Sequence, residues 1–99
     1  MPDDPRETTD PDGRRVMFDE RTERHLGLRR PQMLTHMTAI LDTVARPDIR
    51  EDDSAPDRER FFRRDLDPSR FLRVVVDFNE SPGFVVTAFI QDHEPEGKP

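Results

Sequence analysis

Residues 71–90 read FLRVVVDFNESPGFVVTAFI, and this stretch decides the fold. Two runs rich in Val and Phe, Phe71 to Phe78 and Phe84 to Ile90, flank the segment Asn79 to Gly83, which carries Pro82 and Gly83. β-Branched and aromatic residues favour strands, and a short Pro/Gly turn between two such runs predicts a hairpin. Successive strand side chains point to opposite faces, so a period of two sorts them. In the first strand Leu72, Val74, Val76 and Phe78 share one face; Phe71, Arg73, Val75 and Asp77 share the other. In the second, Phe84, Val86, Ala88 and Ile90 are expected together, with Val85, Thr87 and Phe89 opposite. The all-apolar faces should pack on helices. That leaves Arg73, Asp77, Thr87 and Phe89 on the far side of the sheet.

Reading outward from the hairpin, Asp65 to Ser69 is a turn and Arg58 to Arg64, with Phe61 and Phe62, is a third strand. Asp53 to Asp57 reads as a loop and Asp48 to Asp52 as a weak strand before it. Met33, Met37, Ile40, Leu41 and Val44 fall at i, i+4, i+7, i+8 and i+11, the single apolar stripe of a helix. Pro31 suits the first turn of that helix, and Arg46-Pro47 ends it. Asp19 can cap a shorter helix, with Glu20 and Glu23 in its first turns and Gly27 as its stop. Arg14 to Phe18 reads as a short edge strand. The expected fold is α+β: two N-terminal helices packed on one face of a four-stranded, mostly antiparallel sheet. It spans residues 14–91, with disordered acidic tails at 1–13 and 92–99.

Composition supports a small domain with polar ends. Of 99 residues, 31% are apolar and 38% charged, and ten are proline. The acids concentrate at the ends. Residues 1–13 hold five against Arg6, residues 92–99 hold three against Lys98, and the middle is neutral despite a formal net charge of −6. The acidic balance therefore does not exclude a nucleic-acid partner. No apolar run approaches the ~18 residues of a membrane span, and the acidic start Met1-Pro2-Asp3-Asp4-Pro5 does not read as a signal peptide. A cytoplasmic location is expected. With no cysteine there is neither a disulfide framework nor a thiolate metal site. His25, His36 and His93 have no metal-ligand spacing, and no Gly-rich phosphate loop is present, so no metal or cofactor is expected.

The candidate chemistry lies around His25-Leu26-Gly27-Leu28-Arg29-Arg30-Pro31. Imidazole moves protons near neutrality, and a guanidinium beside it stabilises charge developing on a phosphate. An exposed histidine beside a solvated basic turn has the same spacing. Arg63, Arg64 and Arg73 are candidate substrate contacts, or simply the polar half of an amphipathic sheet. Thr87 is a candidate hydrogen-bond donor, or an ordinary strand threonine.

An ordered set of strings adds to this reading: His25-Leu26, Arg29-Arg30-Pro31-Gln32-Met33, Thr43-Val44-Ala45-Arg46-Pro47-Asp48, Phe61-Phe62-Arg63-Arg64, Leu72-Arg73-Val74-Val75-Val76 and Val85-Val86-Thr87-Ala88-Phe89. Over residues 16–91 the chain resembles the small metal-independent ribonucleases of the barnase–EndoU–colicin–RelE group, most of all their phage- and toxin-type branches. The resemblance implies RNA cleavage by attack of the 2′-hydroxyl on the adjacent phosphate. His25, Arg29, Arg30 and Thr87 would be the catalytic set and Arg63, Arg64 and Arg73 the substrate contacts. It implies RNA (a tRNA or an mRNA) as substrate, and an antitoxin or immunity protein as a partner. The chain departs from that pattern at three places. Arg30 stands where a second histidine is usual, Gln32 replaces an acid, and Phe89 replaces a tyrosine. A module of the same fold that binds RNA or protein without cleaving is the alternative.

Overall fold

The computed structural model describes residues 6–64 and 70–92. Strands β1 (Glu7–Thr9) and β2 (Arg15–Met17) come first. Helix α1 (Glu20–Arg29) follows, then a 3-10 turn (Pro31–His36) and helix α2 (Met37–Ala45). Strands β3 (Ile49–Asp52), β4 (Arg58–Arg64), β5 (Phe71–Asp77) and β6 (Gly83–Gln91) complete the chain. They form one six-stranded mixed sheet in the order β1-β2-β6-β5-β4-β3. Only β2 and β6 run parallel, pairing Val16 with Gly83 and Met17 with Phe84.

The class is α+β, but the expectation of four strands preceded by helices is corrected. Two strands come before the helices, and one pair is parallel. The acidic segment read as a tail supplies the missing strand, because its charges are matched. The Asp10 carboxylate is fully enclosed and accepts from the Arg14 backbone N–H (2.8 Å), Arg14 Nε (2.8 Å) and the Asp12 N–H (3.1 Å). Arg14 reaches on to Glu59 (2.8 Å), and Arg50 joins Asp12 (2.8 Å) to Glu59 (3.1 Å). The Arg14 guanidinium also lies 3.6 Å from the centre of the Phe78 ring. Composition alone hides such a network, since five acids and no large apolar residue resemble a solvated tail. The expected turn at Asp65 to Ser69 and the tail beyond Asp92 lie outside the described residues.

The single helix expected from Pro31 is split, with Pro31–His36 a 3-10 turn and only Met37–Ala45 α-helical, but the apolar stripe still faces the sheet. Ile40, Leu41, Val44 and Met33 are buried against Phe61 of β4, Leu72, Val74 and Val76 of β5, and Ala88 of β6. Leu26 brings α1 into the same core. Asp19 caps α1 by accepting from the Thr22 N–H, but the helix runs through Gly27 and ends at Arg29. Glycine costs a helix only about 1 kcal/mol against alanine, less than the burial of Leu26 returns. Thr22 also donates its hydroxyl to the Val85 carbonyl, which stitches α1 to β6.

That stitch sits at a β-bulge. The β5–β6 register runs Val75↔Thr87 and then Val76↔Val85, so Val86 is an extra residue. The strict alternation expected over residues 84–90 therefore breaks. Val85 is fully buried in the helix-side core, while Val86 is only half-buried. Phe84, paired with Asp77, belongs to the opposite face instead. Before the bulge, Gly83 passes so close to β5 that an added Cβ would stand 2.9 Å from the Phe78 ring and 3.0 Å from the Asp77 carbonyl oxygen.

Candidate functional site

The face of the sheet turned away from the helices gathers the candidate residues. Register places Arg58, Arg60, Phe62 and Arg64 of β4 there, beside Asp77, Val75, Arg73 and Phe71 of β5. Thr87 and Phe89 of β6 come next. Arginines alternate with aromatic rings, and two of the four arginines there, Arg58 and Arg60, pair closely with acids. Arg58 pairs with Asp77 (3.4 Å), and Arg60 with Asp53 (2.7 Å) and Glu51 (3.0 Å). Arg64 lies over Phe71, 4.9 Å from the ring centre.

Arg73 is the exception. Its side chain is 22% exposed, its Nε is buried without a hydrogen-bond partner, and its nearest acid, Asp53, is 4.0 Å away. Gln91 Oε1 accepts from it at 3.5 Å, a long contact. Burial, and then the charge of nearby Arg60, push the Arg73 guanidinium below its ordinary pKa. A buried donor left unmade costs about 1–3 kcal/mol, so the fold carries this group at a loss. Thr87 repeats the pattern, for its Oγ1 is buried and also has no partner. The pairs Arg73↔Phe89 and Val75↔Thr87 make Arg73 and Thr87 diagonal neighbours, about 7–8 Å apart at Cα. An arginine side chain spans that gap. Two buried donor atoms without partners, Arg73 Nε and Thr87 Oγ1, thus belong to neighbouring residues of this face, while the rest of the Arg73 guanidinium is held only by long contacts to Gln91 and Asp53.

Arg30 reaches the same place from α1. Its guanidinium lies 4.9 Å from the centre of Phe89, and that of Arg73 lies 5.0 Å from it. At the other end of α1, Arg21 lies 5.9 Å from the centre of Phe84. The helix therefore runs alongside β6, with Arg21 level with Phe84 and Arg30 level with Phe89. At about 1.5 Å per residue, His25 stands about 6 Å along from Arg21 and level with the middle of β6. It lines a groove with Asp19, Arg21, Thr22, Asp77, Phe84, Val85 and Val86, the last adjoining Thr87. Arg29 lies one turn beyond His25 on the same side of the helix and is exposed.

Of the residues singled out from sequence, Arg30 and Arg73 come together at Phe89, Thr87 lies on the same face of β6, and His25 lines the adjoining groove. Arg29 touches neither cluster. Arg64 shares the open face but lies at the far end of β4. Arg63 pairs with Leu72 and so points to the helix side, away from Arg73; it is not a substrate contact on this face. Phe71 and Val75 are buried, and Val85 is on the helix side, so the apolar patch that a protein-binding sheet face would need is not formed. Sequence reasoning missed Arg21, Phe84, Asp53 and Arg60. Arg60 was readable, since in Arg58–Arg64 it shares a face with Phe62 at period two. Arg21 and Phe84 were not, because the bulge sets their juxtaposition. Among the described residues no group of three or more acids and histidines is arranged to hold a metal ion, and no helix is long and apolar enough to cross a membrane.

Compared with known proteins, the chain matches no family model, no curated protein and no solved structure.

Proposed function

We propose that the open face of the sheet binds a phosphodiester of RNA, and that His25 beside it drives metal-independent cleavage. The observation that carries this is the pair of buried, unpartnered donors, Arg73 Nε and Thr87 Oγ1, with Arg30 brought to the same ring. A phosphate oxygen at the exposed part of the Arg73 guanidinium matches its charge, and reaching the enclosed Nε and Oγ1 requires the side chains over them to move aside. In the reaction, His25 takes the proton of the ribose 2′-hydroxyl, whose oxygen attacks the phosphorus. Arg73 and Arg30 stabilise the charge that builds on the non-bridging oxygens. The P–O5′ bond breaks, the imidazolium returns a proton to the leaving oxygen, and a 2′,3′-cyclic phosphate remains. RNA is the substrate because DNA lacks the attacking hydroxyl. The resemblance of residues 16–91 to the small ribonucleases supports the same reading.

A second reading is a module that binds RNA without cutting it. One observation favours it: Arg30, in the place of a second histidine, lies over Phe89, and a guanidinium does not exchange protons near neutrality. Binding of a short fluorescein-labelled RNA, followed by anisotropy across a salt series, tests the part shared by both readings. The wild type should bind, and Arg73→Met and Thr87→Val should each weaken it. Equal affinity in all three would remove the open face as the binding surface.

A further inference from the structure

The groove between α1 and β6 has a different character from the phosphate-binding cluster beside it. Its volume is about 340 Å³, within the range of small-ligand sites. Its floor is Phe84, Val85 and Val86, and its rim carries Arg21, His25 and Asp77. Phe84 is half-buried, and the Arg21 guanidinium lies across its ring at 5.9 Å. That spacing is too wide for direct stacking of guanidinium on ring. It is about 1 Å short of the roughly 7 Å that a flat ring needs between two stacked neighbours, at ~3.4 Å per layer. Arg21 can supply the difference, for its side chain is 79% exposed and its one ion pair, to Asp19, is a long 3.5 Å. Aromatic faces and guanidinium planes are the surfaces on which unpaired bases stack.

We propose that this groove is a nucleobase subsite, in which an unpaired base of single-stranded RNA inserts between Phe84 and Arg21. The proposal rests on the phosphate-binding reading of the open face, and the layout of α1 along β6 ties the two together. The base sits at the Arg21–Phe84 end, and the phosphate at the Arg30–Phe89 end, about 13 Å further along α1, is one nucleotide further along the strand. His25 stands between them, level with the ribose. The Phe89 ring does not serve as the base platform, because Arg30 and Arg73 both lie against it. A paired base is held in its duplex and does not reach the groove, so the site selects single strands.

The test uses a short RNA with 2-aminopurine at one position and 2′-O-methyl groups throughout, so that it binds without being cut. The protein has no Trp or Tyr to compete with the probe's emission. Binding should quench the probe in the single strand and leave it unchanged in the matching duplex. Phe84→Leu should abolish the quench and weaken binding about tenfold. Arg21→Ala, at an exposed position that leaves the core intact, should reduce both. Binding that depends on Arg73 but shows no quench and no effect of Phe84 or Arg21 would overturn the base subsite and leave the phosphate reading standing. No binding of any RNA by the folded wild type would overturn both.

Discussion

Replacing Arg73 with methionine should make the protein more stable and less able to bind RNA. The two side chains are of similar length, but methionine brings no buried donor. Removing the unpartnered Nε recovers about 1–3 kcal/mol of desolvation cost. Against this stand the contacts with Phe89 at 5.0 Å and Phe62 at 6.0 Å, worth about 0.5–1 kcal/mol each. Taking the middle of each range, about 2 against about 1.5 kcal/mol, the net gain is about 0.5 kcal/mol. For a domain of this size each kcal/mol moves Tm by about 4–8 °C, so Tm should rise by roughly 2–4 °C. Loss of a charged hydrogen bond to phosphate, about 1.5–3 kcal/mol, should weaken RNA binding about 10–150-fold. Thermal unfolding followed by circular dichroism reads the first effect, and anisotropy with labelled RNA the second. A fall in Tm of 4 °C or more would refute the reasoning, because it would mean that the fold compensates this charge and that the site is structural.

Four further outcomes follow from the same structure. Thr87→Val removes a buried hydroxyl without a partner at nearly constant shape; stability should hold or rise by about 1 kcal/mol in urea titration, while RNA binding falls. Asp10→Ala strips Arg14 of its enclosed acceptor and should cost about 2–3 kcal/mol, seen as a Tm lower by 8 °C or more. Gly83→Ala should destabilise by at least about 1 kcal/mol, because the new Cβ meets the Phe78 ring and the Asp77 carbonyl; an unchanged urea midpoint would mean that the strand shifts freely there. Asp12, Asp53 and Glu59 are held below their ordinary range by hydrogen bonds from Arg50, Arg60 and Arg14 respectively. Lowered folded values mean that stability is full above the unfolded carboxylate range, about pH 4, and drains away as pH falls through the folded values. Urea midpoints should thus be level from pH 7 to 5 and drop by pH 3; a midpoint that rises on acidification would contradict these pairings.

The hairpin at residues 71–90, the stripe on α2 and the bounds of β4 were legible because each rests on local periodicity. Strand β2 was legible within Arg14 to Phe18, but β1 was not, so β2 was taken for an edge; the turn between them is held by ion pairs that close only in three dimensions, Arg14 with Glu59 and Arg50 with Asp12. The face of Val85 was lost for another reason. A single bulge residue, Val86, reverses the alternation, and nothing in a run of Val-Val-Thr-Ala marks which residue is extra. In the site, Arg73 and Thr87 were legible as polar residues in an otherwise apolar hairpin. Their lack of partners was not, since it depends on Asp53 being claimed by Arg60. Arg63 was misassigned because two adjacent arginines on a strand face opposite ways, and composition does not say which one points to the helices.

Cleavage of a mixed-sequence single-stranded RNA in the presence of EDTA, with the wild type beside His25→Ala, tests the central claim most directly. The account predicts that the wild type produces fragments ending in 2′,3′-cyclic phosphate and that His25→Ala, folded and still binding RNA, produces none. Intact RNA with the wild type, bound but uncut, would contradict the assignment of His25 as a proton-transfer group and leave the open face as a binding surface alone.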